Sequence, residues 1–217
     1  MPNGFQRDVA KLLLNHLGSY GFALSGGLAL SELNLTNRPT KDIDLFTSTF
    51  DVTLFDRAVS EAIDALKLAG YDTTLSRKTD TFARIEICFN SEYLSVDLGY
   101  DYREHDAVIM DVGPVLDKTD AILNKVSALY ARMLPRDFID VYNIIRSDEI
   151  SKAEILRLSK ERDDGFVLEY FVQALQKIQT LAFEGFCEYG ISREEFDAIR
   201  MTMNAWAKEI ADADGKL

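Results

Sequence analysis

The chain has 217 residues, room for one large domain or two small ones, and its 47% hydrophobic and 28% charged residues suit an ordinary globular protein. Thirty-six acidic residues against 24 basic ones leave a net charge of −12. That is a poor background for generic nucleic-acid binding, though a local basic groove on an acidic protein still admits RNA as a substrate. No apolar run approaches the ~18 residues of a membrane span. The first residues lack a signal pattern, and no low-complexity tract marks a long linker, so a cytoplasmic protein without a membrane partner is expected. Cys88 and Cys187 have no metal-ligand spacing and read as buried free thiols. His16 and His105 stand alone.

Residues 5–17 show helical spacing at Phe5, Val9, Leu12, Leu13 and Leu17, with Gly18 and Gly21 at the end. A short buried strand, 22–24, runs into Ser25-Gly26-Gly27, and a helix follows over 28–33. Residues 37–40 form a turn, and 42–46 a strand. A helix over 52–69 stops at Gly70, and 71–75 reads as a strand. Residues 82–89 and 93–98 form a hairpin joined at 90–92. From Thr119 the pattern becomes helical. Thr119-Asp120 caps a helix through 134, Pro135 opens another to about 145, and 151–161, 165–187 and 192–211 complete the chain. Two domains follow: a mixed α/β half, 1–118, and an all-helical half, 119–217.

Side chains alternate along a strand, so Asp42 and Asp44 share one face while Ile43 and Leu45 face a core. Asp97 falls on the polar face of its own strand, beside Tyr93 and Ser95. Carboxylates side by side repel unless a cation lies between them, and Mg²⁺ accepts one or two carboxylates plus phosphate oxygens. The bland reading is three exposed strand residues on an acidic protein. Ser25-Gly26-Gly27, between a strand and a helix, has the context of a phosphate cradle, although a Gly pair is more often only a tight turn. Lys125 and Arg132, seven apart, share a helix face suited to a triphosphate or merely to solvent. Asp137 and Asp140 can cap, pair with Arg136 or bind a substrate hydroxyl.

Taken together, Ser25-Gly26-Gly27-x-Ala29-Leu30, Arg38-x-Thr40-x-Asp42-Ile43-Asp44-Leu45, Asp97, and the run from Lys125 through Arg132, Pro135-Arg136-Asp137 and Asp140 to Tyr142 resemble a known family. It is the AbiEii/AbiGii nucleotidyltransferase-like toxins, which include the MenT type, and the likeness spans residues 24–145. The resemblance implies an α+β fold: a polymerase-β-like nucleotidyltransferase core, a mixed sheet with helices, followed by an all-helical C-terminal domain contributing to the active site. It implies Mg²⁺ on Asp42 and Asp44, with Asp97 a further ligand or base. It implies a nucleoside triphosphate contacted by Ser25, Gly26, Gly27, Arg38, Lys125, Arg132, Arg136 and Asp140.

The resemblance further implies NMP transfer to an acceptor hydroxyl, with the 3′ end of tRNA as the expected acceptor and an antitoxin as partner. Catalysis would rest on Asp42, Asp44, Asp97 and Lys125. The competing readings are transfer to a protein or small molecule, favoured by the charge of −12, and a non-catalytic nucleotide-binding module docking through its Phe- and Leu-rich helical half.

Overall fold

The computed structural model describes residues 4–214. The chain divides into two compact units. The first comprises the residues up to Leu33 and Thr40–Ala121, and the second Asn34–Pro39 and the residues from Ile122 onward.

In the first unit, helix α1 (Gly4–Leu17) precedes strand β1 (Phe22–Ser25), helix α2 (Gly26–Glu32), strand β2 (Asp42–Thr47) and helix α3 (Val52–Leu68). Strands β3 (Asp72–Lys78), β4 (Phe82–Phe89), β5 (Glu92–Tyr100), β6 (Val108–Met110) and β7 (Gly113–Val115) follow. They form one seven-stranded sheet in the order β3-β4-β5-β2-β1-β7-β6, with β2 parallel to β5 and antiparallel to β1. The sequence dictates which face is buried. Ile43 and Leu45 of β2, Ile85 and Ile87 of β4, and Val96 and Leu98 of β5 join Val9, Leu13, Leu17, Phe55 and Val59 of α1 and α3 in one core. The alternate positions, Asp42, Asp44, Arg84, Glu86, Ser95 and Asp97, lie on the opposite, polar face of the sheet.

The second unit is helical. Helix α4 (Lys118–Arg132) carries the division between the units and leads to α5 (Pro135–Arg146), α6 (Lys152–Arg162), α7 (Leu168–Gln176), α8 (Glu184–Cys187) and α9 (Arg193–Asp214). Its core is aromatic. Phe171 meets Trp206 edge-on at 5.1 Å, and Phe186 packs on Phe196 at 4.8 Å. Among the described residues no helix is long and apolar enough to cross a membrane.

Six local expectations change. Helix α2 starts at Gly26, two residues early, because Gly26 turns the chain with φ +63°. Strand β3 extends to Lys78, since edge pairing with β4 needs no apolar alternation from Ser76-Arg77-Lys78. The three-residue strands β6 and β7 are too short to show a period. The stretch 165–187 is one apolar stripe by spacing, yet it breaks into α7, a 3₁₀ turn (Lys177–Thr180) and α8 where Leu181 becomes extended. At the start of α4, Asp117 accepts the Thr119 amide N–H at 2.7 Å, and Asp120 turns instead to the loop at Glu104 and His105. Of the two cysteines expected to be buried, Cys187 is exposed and Cys88 half-buried.

Because Ile43 is fully buried in the central strand, Ile43→Ala is expected to lower the unfolding free energy by about 2–5 kcal/mol in a urea titration. Leu75, 41% exposed on the edge strand, should tolerate Ala within about 0.5 kcal/mol.

Candidate functional site

The parallel register of β2 and β5 aligns Asp42 with Ser95 and Asp44 with Asp97. The antiparallel register of β4 and β5 aligns Arg84 with Asp97 and Glu86 with Ser95. A row of charge therefore crosses three strands, running Asp44, Asp97, Arg84. Arg84 Nε and Nη2 donate to Asp97 Oδ1 and Oδ2, both at 2.6 Å. Those hydrogen bonds raise the Arg84 pKa above its ordinary value; burial opposes them, and the charges of Asp97, Glu86 and Asp42 add to them. Ser95 donates to Glu86 at 2.6 Å, and Thr40 donates to Asp42 Oδ1 at 3.0 Å. The Gln6 amide donates to the Asp42 carbonyl at 2.8 Å, which fixes where β2 begins.

Gly26 explains how Asp44 is seated. Ser25 pairs with Asp44 across β1 and β2, and the chain turns into α2 at the next residue. A Cβ on Gly26 would lie 1.8 Å from Asp44 Oδ2 and 2.6 Å from its Cγ. The carboxylate thus rests against bare backbone, where any other residue would displace it. Ser25 is buried and makes no side-chain cap bond to α2. Asp42 and Asp44 offer hard oxygen donors on one face, the donor chemistry that Mg²⁺ takes. By chemistry and by this cradle, the pair fits a divalent ion.

In the second unit, Asp140 of α5 is fully buried. Arg38 Nε and Nη2 donate to its two oxygens, both at 2.7 Å, and Thr36 donates at 3.0 Å. Lys125 Nζ lies 3.0 Å from Asp140 and 3.6 Å from Asp137. Arg132 forms a second fork to Asp137, with both bonds at 2.9 Å. Asn143 donates to Thr36 at 3.2 Å, and the Arg38 guanidinium lies over the Tyr189 ring at 5.4 Å. Burial pushes the Asp137 carboxyl up, but Arg132 and Lys125 outweigh it and hold the group below the usual carboxylate value.

The residues singled out by sequence therefore fall into two sets. Ser25, Gly26, Gly27, Asp42, Asp44 and Asp97 belong to the first unit; Arg38, Lys125, Arg132, Arg136 and Asp140 belong to the second. The Arg38-x-Thr40-x-Asp42 motif is split, since Arg38 pairs within the second unit and Thr40 within the first. Sequence reasoning missed Arg84, Thr36 and Asn143. The turn expected over 90–92 would set Arg84 opposite Leu98, but the turn is shorter. Asn90 and Ser91 both have positive φ, 51° and 66°, as in a two-residue hairpin turn. Counting back from Phe89↔Glu92 puts Arg84 opposite Asp97.

Elsewhere among the described residues, His105, Asp117 and Asp120 bring one ligand atom each within 4.8 Å of one another. Asp120 is buried and already accepts the amide N–H groups of Glu104 and His105, at 3.1 and 2.9 Å, which gives it a structural purpose.

Two outcomes are expected from these geometries. Gly26→Ala should cost about 1–3 kcal/mol of stability, and the cost should shrink in an Asp44→Ala background, as a double-mutant cycle by chemical denaturation would read. Asp137 has a depressed folded-state pKa, so its contribution is complete above the unfolded value and fades as pH falls through the folded one. Asp137→Asn should therefore cost about 3–5 kcal/mol at neutral pH, and the gap to wild type should narrow below about pH 4. A gap independent of pH would contradict this.

No curated protein matches the chain. Among solved structures it is similar to JHP933 from Helicobacter pylori, at 14% identity and TM-score 0.58 over 98% of this chain and 93% of that one. It is also similar to a second Helicobacter pylori protein, at 15% identity and TM-score 0.57 over 98% and 96%. These likenesses speak for the fold. The family model described as nucleotidyl transferase AbiEii toxin, of a type IV toxin–antitoxin system, matches residues 9–216. The chain belongs to that family and is a nucleotidyltransferase, built on a mixed sheet with helices and a helical C-terminal portion.

Proposed function

We propose that the protein transfers NMP from a nucleoside triphosphate to an acceptor hydroxyl, and that this hydroxyl is the 3′ end of tRNA. The observation that carries the reading is the seating of Asp44 against Gly26, with Asp42 beside it on β2, in a chain of this family. Asp42 and Asp44 would hold Mg²⁺, which when bound supplies charge neutralisation at the phosphates. The acceptor oxygen forms a bond to the α-phosphorus while the bond from that phosphorus to the pyrophosphate oxygen breaks. The acceptor proton passes to a carboxylate, for which Asp97 is the candidate. Asp97 is alternatively a third metal ligand.

Ser25, Gly26 and Gly27 are the proposed phosphate contacts of the first unit. In the second unit, Arg38, Lys125, Arg132, Arg136 and Asp140 are the proposed nucleotide contacts. Their support is the family motif together with the way three of these cations gather on Asp137 and Asp140. Each unit is proposed as a domain with its own part in recognition. An antitoxin is the proposed protein partner, and the cytoplasm, where tRNA is found, is the proposed compartment.

The charge of −12 favours a second acceptor class, a protein or small-molecule hydroxyl, because few phosphate contacts are to be expected from such a surface. One assay separates the two. Each α-³²P-labelled NTP is incubated with Mg²⁺ and either total tRNA or a tRNA-free protein extract. Label on tRNA, reduced at least about 100-fold by Asp44→Asn, is the expected outcome. Label on protein would replace tRNA as the acceptor. Full transfer by Asp44→Asn would overturn the catalytic assignment.

A further inference from the structure

Asp97 stands between neighbours of opposite charge, with Asp44 on one side in the β2–β5 register and Arg84 on the other in the β4–β5 register. Arg84 uses a bidentate fork, two bonds of 2.6 Å, and takes both carboxylate oxygens. Such forks are the strong form of carboxylate pairing. They engage the oxygens that a cation would coordinate or that an acceptor proton would meet. The two partners differ in freedom. The Asp97 side chain is 10% exposed and the Arg84 side chain 43%, so the guanidinium can swing into solvent while the carboxylate stays.

We propose that Arg84 is a positioning residue that withholds Asp97 from the divalent-metal set of this row and releases it when a phosphate oxyanion takes the guanidinium. The inference rests on Asp42 and Asp44 as metal ligands. A guanidinium fork matches phosphate as well as carboxylate, so substrate phosphate is a natural competitor for Arg84. The exchange conserves charge: Arg84 passes from a carboxylate to a phosphate, and the freed carboxylate turns to the cation. Asp97 then joins the site only when nucleotide is present, which ties the complete ligand set to substrate. The row thereby acquires specificity for a phosphorylated ligand that its carboxylates alone would repel.

The test is calorimetric and needs no turnover. Mn²⁺ is titrated into wild type, Arg84→Gln, Arg84→Lys, Asp97→Asn, Asp42→Asn and the Arg84→Gln/Asp97→Asn pair, each checked for fold by circular dichroism. Inorganic pyrophosphate is titrated separately without metal. Arg84→Gln should bind Mn²⁺ about tenfold more tightly, the effect of removing one close competing charge. The double variant should lose that gain.

Pyrophosphate should bind Asp97→Asn more tightly than wild type, and Arg84→Gln more weakly. If Arg84→Gln does not fold, Arg84→Lys should show a smaller gain in Mn²⁺ affinity. Mn²⁺ binding that requires Asp42 but ignores both Arg84 variants would overturn this proposal alone. Mn²⁺ binding indifferent to Asp42 would overturn both it and the reading on which it rests.

Discussion

The parallel pairing of β2 with β5 is the constraint on which the polar face of the sheet depends. It aligns Asp44 with Asp97 while Ile43, Leu45, Val96 and Leu98 go to the core. A one-residue slip would turn every one of these side chains over, burying the aspartates and exposing the aliphatics. The hydrophobic face therefore holds the carboxylates together against their mutual repulsion. Gly26 supplies the remaining tolerance, since Asp44 occupies the volume that a side chain would fill.

The two units handle buried charge differently. In the second, Asp137 and Asp140 each meet at least two cations at close range, so the cost of removing them from water is offset by paired hydrogen bonds. In the first, Arg84 provides a guanidinium fork for Asp97, with Asp42 and Asp44 further along the same face. Mg²⁺ chemistry is proposed for this row because its donors are oxygens beside the Gly26 turn.

Much of this was readable in the sequence, where a short period suffices. Asp42-Ile43-Asp44-Leu45 announces its own faces, whereas the turn expected over 90–92 is Asn90-Ser91 alone, a one-residue change of register that sets Arg84 against Asp97. Contacts across long stretches of chain were not readable. Thr36 and Arg38 meet Asp140 across 104 and 102 residues, and no local pattern encodes that meeting. Strand β7 joins the sheet beside β1 where Leu24 aligns with Val115 and the Leu116 N–H donates to the Leu24 carbonyl, a pairing set by the tertiary fold. The break between α7 and α8 was hidden because the apolar residues Phe171, Leu175, Ile178 and Phe186 keep helical spacing across a backbone that does not remain helical.

The central claim is that Asp42 and Asp44 form a divalent-cation site. Anomalous diffraction from crystals grown with Mn²⁺ and a non-hydrolysable nucleoside triphosphate tests it most directly. A peak coordinated by Asp42 and Asp44 is the result the account predicts. A peak confined to His105, Asp117 and Asp120, or density that leaves both β2 aspartates uncoordinated, would contradict it.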